Sequence, residues 1–287
     1  MAIGDVTFYP NYIWDVGYSA AAEPSIVNQG YASSGAETSG PAYDLVDGRR
    51  TPVITIDTYG EATDFTIDYD LSGNITGINF FIIDNHNLET ASANVSIESA
   101  GDSVETISAA YSGALGSTTV AEDVDSDIIE KPTDGCLLAV CTAFTEDTIQ
   151  LEFVDFDEDD FAADVTIGEI FIGKSFSPST APETHDFIPN YEGIQLSRTR
   201  GGNKQTTKYY GERKAWSLKW SYMSESDKES MDTVFSTTEG HRYPFYIDLG
   251  EESTPKLYFV RLVPGTYRAR KLTTSAYEVS LSIESEV

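Results

Sequence analysis

Between Tyr209 and Leu249 the sequence spells a strand, a short helix and a second strand. In Ala215–Tyr222, Trp216, Leu218 and Trp220 alternate with Ser217, Lys219 and Ser221. That two-residue period belongs to a strand with one buried face. Ser224 follows as a helix N-cap, with Glu225 and Asp227 in the first turn, where the helix dipole favours acids. Met231, Val234 and Phe235 then form an apolar stripe at helical spacing, and Gly240 marks the stop. Pro244–Leu249, Lys256–Leu262 and Tyr277–Glu284 read as further strands. Upstream, Gln195–Arg200 and Lys204–Tyr210 flank Gly201-Gly202-Asn203, a hairpin signal. The pattern predicts an α+β domain, a mostly antiparallel sheet with one helix packed on it. Trp216 and Trp220 are expected in its core.

The chain before this region is dense in short β-type runs. They include Val53–Ile56, Phe65–Tyr69, Gly77–Ile83, Asn94–Glu98, Leu137–Thr142, Thr148–Val154 and Val165–Ile172, separated by Gly, Asn and Asp turns. In Ile78–Ile83 both alternating faces are largely apolar, as in a central strand covered on both sides. No helix period is visible there. The predicted fold class is therefore mainly β: an N-terminal β-sandwich jelly roll followed by a smaller α+β domain.

Charge and prolines divide the chain. Residues 1–173 hold 32 Asp and Glu against three basic residues, Arg49, Arg50 and Lys131. Residues 174–287 hold 15 acids and 15 bases, so the whole net charge of -29 belongs to the first part. Residues 175–193 carry three prolines, which cannot donate to a sheet ladder, and read as a linker or extended arm. The expected organisation is 1–174, acidic jelly roll; 175–193, linker; 194–287, assembly domain. The acidic part repels phosphate, so no nucleic-acid partner is expected. Its acidity reads as a solvated outer surface, with calcium binding or adaptation to salt as the alternatives. No run of 18 apolar residues occurs, and no signal peptide is visible, so membrane insertion is not expected.

Catalytic signals are missing. His86, His185 and His241 have no metal-ligand spacing, and no GxSxG, P-loop or Rossmann fingerprint occurs. With 47 acids, carboxylate pairs arise by coincidence. The chain is expected not to be an enzyme. Cys136 and Cys141 sit at odd spacing, on opposite faces of one strand, and are expected as two buried thiols.

Several pieces resemble a discoidin-like, galactose-binding-like jelly roll: Ala32-Ser33-Ser34, Ala42–Gly48, Thr51, Gly77–Ile83, Val95–Asp102 and Ile167–Gly173, in that order. The tryptophan usual after the threonine is replaced by Pro52-Val53. The resemblance implies the fold more directly than it implies sugar binding, and the expected contact of this part is a host surface glycan or another virion protein. It also implies a structural calcium with Asp47, Thr51 and Glu169 as side-chain ligands; no other cofactor is expected.

The later region resembles the minor tail and distal tail proteins of tailed bacteriophages. Arg213, Trp216, Leu218, Trp220, Ser224, Met231, Phe235, Gly240, Pro244 and Phe245 carry that resemblance. It implies a homo-oligomeric ring and contacts with other tail proteins, with Arg198, Arg200, Lys204, Lys208 and Arg213 as an assembly surface. The expected function is a virion structural protein at the tail tip or a tail junction, assembled in the host cytoplasm. The alternative is a carbohydrate-binding module protein, or a tail-fibre or capsid decoration adaptor.

Overall fold

The structure, a computed structural model, describes residues 5–12, 25–28, 45, 53–58, 64–99, 102–103, 107–113, 118–119, 128–129, 132–155, 161–190, 194–198, 204–208, 213–252 and 254–286. The chain divides into two compact units. One, the β unit, comprises Phe8–Phe176 and Glu252–Leu257; the other, the α+β unit, comprises Met1–Thr7, Ser177–Glu251 and Tyr258–Val287.

The first twelve strands are β1 (Thr7–Tyr9), β2 (Ser25–Asn28), β3 (Ile54–Ile56), β4 (Phe65–His86), β5 (Ala93–Ser99), β6 (Asp102–Ser103), β7 (Ile107–Gly113), β8 (Thr118–Thr119), β9 (Ile128–Ile129), β10 (Gly135–Asp155), β11 (Val165–Ile167) and β12 (Glu169–Gly173). Two pairs of runs expected as separate strands are each continuous. Phe65–Tyr69 and Gly77–Ile83 both lie in β4, and Leu137–Thr142 and Thr148–Val154 both lie in β10. These two long strands pair antiparallel, from Gly135 opposite His86 to Phe153 opposite Phe65.

The ribbon is interrupted midway. Register shifts fall between Val140 and Thr148, and Gly77 opposite this stretch has φ 77, which a residue with a side chain rarely adopts. Each half of the ribbon then gathers its own neighbours. Phe65–Asp68 pairs with β2, and Ile149–Asp155 with β5. Phe80–Asp84 pairs with β12, and Cys136–Cys141 with β7. A separate pair, β3 with β11, completes the unit. One core takes residues from all three: Phe65, Ile67, Leu151 and Phe153 from one half, Phe81, Ile83, Leu137 and Ala139 from the other, and Ile54, Ile56, Val165 and Ile167 from the small sheet. A sheet that bends at bulges and closes over one core is a β-sandwich, and the mainly β jelly-roll class is the fold observed.

The opposite face of the ribbon is buried too. Phe80, Ile82, Leu138 and Phe171 are inaccessible to solvent. The N-terminal segment lies against it: the Tyr9 ring meets Phe80 edge-on at 5.1 Å, and Asn11 Nδ2 donates to the Ile170 carbonyl at 3.2 Å. Gly173 permits this approach, since a Cβ there would stand 2.5 Å from the Pro10 carbonyl oxygen. Both faces of Ile78–Ile83 are thus covered, as its two-sided apolar pattern requires.

In the second unit, β13 (Thr184–Asn190), β14 (Ile194–Arg198), β15 (Lys204–Lys208) and β16 (Arg213–Ser224) precede helix α1 (Glu225–Thr237). Then come β17 (Phe245–Asp248), β18 (Leu257–Leu262), β19 (Arg268–Lys271) and β20 (Ala276–Ser285). The sheet runs β17-β18-β20-β16-β13, with β19 beside β20. Within the segment expected as a linker or arm, β13 is a paired strand. It stands at the sheet edge, where Pro189 removes no ladder donor.

The helix forms as its sequence dictates. The Ser224 side chain accepts from the Asp227 N–H at 3.0 Å, and Met231, Val234 and Phe235 are buried. At its end the Gly240 N–H donates to the Phe235 carbonyl with φ 70 at Gly240. Trp216 and Trp220 are 2% and 1% exposed, and Trp220 Nε1 donates to the Thr180 carbonyl at 2.9 Å, so both are core residues.

Candidate functional site

The polar residues of interest in the β unit gather where β4 ends. Glu169 on β12 stands opposite Asp84 on β4, and Cys136 on β10 is the other register partner of Asp84. Antiparallel partners carry their side chains on the same face, about 5 Å apart at Cβ. Both carboxylates are buried, Glu169 at 0% and Asp84 at 1% exposure. Two carboxylates held away from water need strong donors or a cation beside them. The Tyr69 hydroxyl is raised well above its ordinary value, first by burial and then by the charge of Glu169.

His86 lies two residues on. Its Nδ1 accepts from the Leu88 N–H at 3.2 Å, which leaves Nε2 as the protonated nitrogen of a neutral ring. Nε2 is buried with no hydrogen-bond partner. Burial lowers the imidazole to about 4, against an opposing pull from the Asp134 carboxylate. The following loop is tied down on both sides. Asn87 Nδ2 donates to the Asp164 carbonyl at 2.8 Å, and its Oδ1 accepts from Thr166 N–H at 2.7 Å. Asp134 accepts from both the backbone and the hydroxyl of Thr90. A strand end held this firmly is a rigid rim on which a ligand site can stand.

Of the calcium ligands implied by the resemblance, Glu169 is on β12, and Asp47 and Thr51 lie outside the described residues. Buried oxygen donors at Glu169 and Asp84 suit a hard cation in kind. Among the described residues, however, no group of three or more His, Cys, Asp or Glu is placed to hold a metal ion. A calcium site would therefore depend on Asp47 and Thr51. The two cysteines form no disulfide and are buried, with Cys141 pushed up to about 12 by burial, which makes it an inert packing group.

The proposed basic assembly surface falls on the expected hairpin. Arg198 pairs with Lys204 and Ile194 with Lys208 across β14 and β15, and Arg213 opens β16 opposite Asn190. Arg200 lies outside the described residues.

A cleft in the α+β unit was not foreseen. It has a volume of about 370 Å³ and is lined by Thr184, Ser217, Lys219, Arg268, Ser280 and Ser282, with Leu218, Gly265, Thr266 and Leu281 behind them. These polar residues occupy the sheet face opposite Trp216, Leu218 and Trp220. The only sequence signal for them was the outward set Ser217 and Lys219; β19 with Arg268 carried none. No helix among the described residues is long and apolar enough to cross a membrane.

No family model matches the chain, and no curated protein matches it. Several solved structures do. CpGH89CBM32-6, produced by Clostridium perfringens, is 13% identical, with 55% of this chain and 98% of that one covered and a TM-score of 0.31. A chitosan-binding module 1 derived from a chitosanase/glucanase of Paenibacillus sp. IK-5 is 16% identical, with 54% and 98% covered and a TM-score of 0.32. A Streptococcus pneumoniae fucose-binding module, SpX-3, is 12% identical, with 48% and 92% covered and a TM-score of 0.30. These are carbohydrate-binding modules by name, each matched over about half of this chain. At such scores the likeness does not say what this chain binds.

Proposed function

We propose that the chain is a non-catalytic carbohydrate-binding protein whose β unit carries the glycan site. One observation supports this above the others. The segments that resemble a galactose-binding-like jelly roll, Gly77–Ile83, the described part of Val95–Asp102, and Ile167–Gly173, are far apart in sequence. They come together around one core. The rim at Asp84–Asn87 is held through the Asn87 side chain, bonded to Asp164 before β11 and to Thr166 on β11, which keeps a binding edge rigid. Carbohydrate sites depend on such pre-positioned polar groups. The test is binding of the full chain to a broad set of immobilised glycans. Saturable binding to a defined glycan class is the expected result. Failure to bind any of them, by a chain shown to be folded, removes this reading.

A second reading is a structural component of a tailed-virus particle, acting at the tail tip or a tail junction. It is favoured by the capped helix between β16 and β17 and the antiparallel strands that follow, the order of elements that the tail-protein resemblance implies. In this reading the α+β unit forms or joins a ring with other tail proteins. Labelling purified particles with an antibody to the chain tests it. Label at the tail end supports it, and unlabelled particles refute it.

A further inference from the structure

We propose that the cleft on the outer sheet face of the α+β unit binds a uronic acid residue, a sugar that carries a carboxylate. This goes beyond the glycan reading of the β unit and does not depend on it. The cleft is built by strand register. Thr184 on β13 pairs with Lys219 on β16, Lys219 pairs with Ser280 on β20, and Ser280 pairs with Arg268 on β19. Four residues thus form one row across four strands, on one face. Strands lie about 4.8 Å apart, so Lys219 and Arg268 stand about 10 Å apart with Ser280 between them. The next row places Ser217 opposite Ser282, with their hydroxyl oxygens 2.9 Å apart.

The chemistry of this row is unusual for the chain. Among the described residues, none that lines the cleft is acidic, and Glu278 beside it is engaged by Lys219. Lys219 is held by Glu278 at 2.7 Å, which fixes its ammonium at one side. Arg268 is exposed and has no ion pair among the described residues. Its guanidinium is free to take a carboxylate with two parallel hydrogen bonds. Arg270, opposite Glu278, offsets that carboxylate at the edge.

The position of Arg268 is fixed from behind. Thr266 accepts from the Ser282 N–H at 3.1 Å and donates to the Val263 carbonyl at 2.7 Å. Tyr267 turns to the other face and donates to Asp232 on the helix at 2.5 Å. The turn before β19 is therefore anchored to both sheet and helix, and Arg268 starts from a rigid base.

Carboxylate and hydroxyls together define the ligand. Four hydroxyl groups, on Thr184, Ser217, Ser280 and Ser282, each donate and accept, as sugar hydroxyls do. No aromatic ring lines the cleft among the described residues, so stacking by them does not hold the sugar, and the charge must. A volume of about 370 Å³ suits one sugar residue. A phosphate or acetate would use Arg268 and leave the serine row empty.

The experiment titrates the full chain with methyl glucuronide, and with methyl glucoside and acetate as the neutral and the hydroxyl-free partners, followed by backbone amide shifts. Methyl glucuronide should shift Ser217, Ser280 and Ser282 and bind about tenfold or more tightly than either control, a difference of about 1.4 kcal/mol. Arg268→Gln, an exposed substitution that leaves the fold intact, should remove that advantage. Ser280→Ala should weaken binding of the glucuronide and leave acetate unchanged. Absence of shifts, equal affinity for acetate and glucuronide, or undiminished binding by Arg268→Gln each overturns the proposal. Arg268→Gln should leave glycan binding by the β unit untouched, so the two readings fail separately.

Discussion

The β unit and the α+β unit handle charge in opposite ways. In the second part of the chain, bases and acids are equal in number, and ion pairs recur in the α+β unit: Lys219–Glu278, Lys228–Asp232, Arg242–Glu239 and Arg261–Glu286. Most are exposed and contribute little to stability. They keep the surface neutral and leave Arg268 spare. The first part has three bases for 32 acids, so it cannot pair its carboxylates in this way. Among its described residues it buries two, Asp84 and Glu169, beside a neutral histidine. Burial of a polar group costs stability unless it is bonded, so such groups are kept for positions with a purpose. The contrast separates a unit whose interest lies in buried polar residues from one whose interest lies on its surface.

The largest expected effect tests whether the units stand apart. Trp220→Ala should destabilise the α+β unit by about 3–5 kcal/mol, and Phe153→Ala should do the same to the β unit. Calorimetry of each variant should show one lowered transition and one unchanged. A common shift of both would mean that the two cores unfold as one.

Acid should act on the β unit first. Burial depresses His86 from an ordinary 6.5 to about 4, so the folded state binds its proton less readily than the unfolded chain. The stability it contributes is present above about pH 6.5 and is lost as pH falls through 4, up to about 3 kcal/mol in all. Glu152, raised by burial and by the neighbouring Glu98 charge, works the other way and gains on acidification. In denaturant unfolding at a series of pH values, His86→Gln should flatten the loss between pH 6.5 and 4. An unchanged profile would show that His86 is not the group responsible.

Gly173→Ala asks whether the N-terminal segment is part of the β core. Its Cβ would meet the Pro10 carbonyl oxygen, so a cost of about 1–3 kcal/mol is expected, with faster amide exchange at Asn11. A neutral substitution would mean that residues 8–12 lift away freely. The smallest effect is at the helix: Ser224→Ala should cost about 1 kcal/mol by removing the acceptor for Asp227 N–H, and only in the α+β unit.

What the sequence determined alone was local. The alternation of Trp216, Leu218 and Trp220, the cap at Ser224, the apolar stripe of α1 and the stop at Gly240 each rest on residues within a few positions of one another. The same holds for the odd spacing of Cys136 and Cys141: Cys141 lies in the main core, and Cys136 is buried outside it. The mainly β class followed from many such local periods.

Only the tertiary structure decided the rest, because strand pairing joins residues distant in sequence. It merged four apparent strands into β4 and β10, since a bulge at Gly77 looks like a turn until its partner strand is known. It made a strand of Thr184–Asn190, in a segment whose prolines argue for a linker unless the strand is at an edge. It brought Glu169 to Asp84 across 85 positions, and it set Thr184, Lys219, Ser280 and Arg268 in one row. No period within any one of those strands encodes such a row; register between strands creates it.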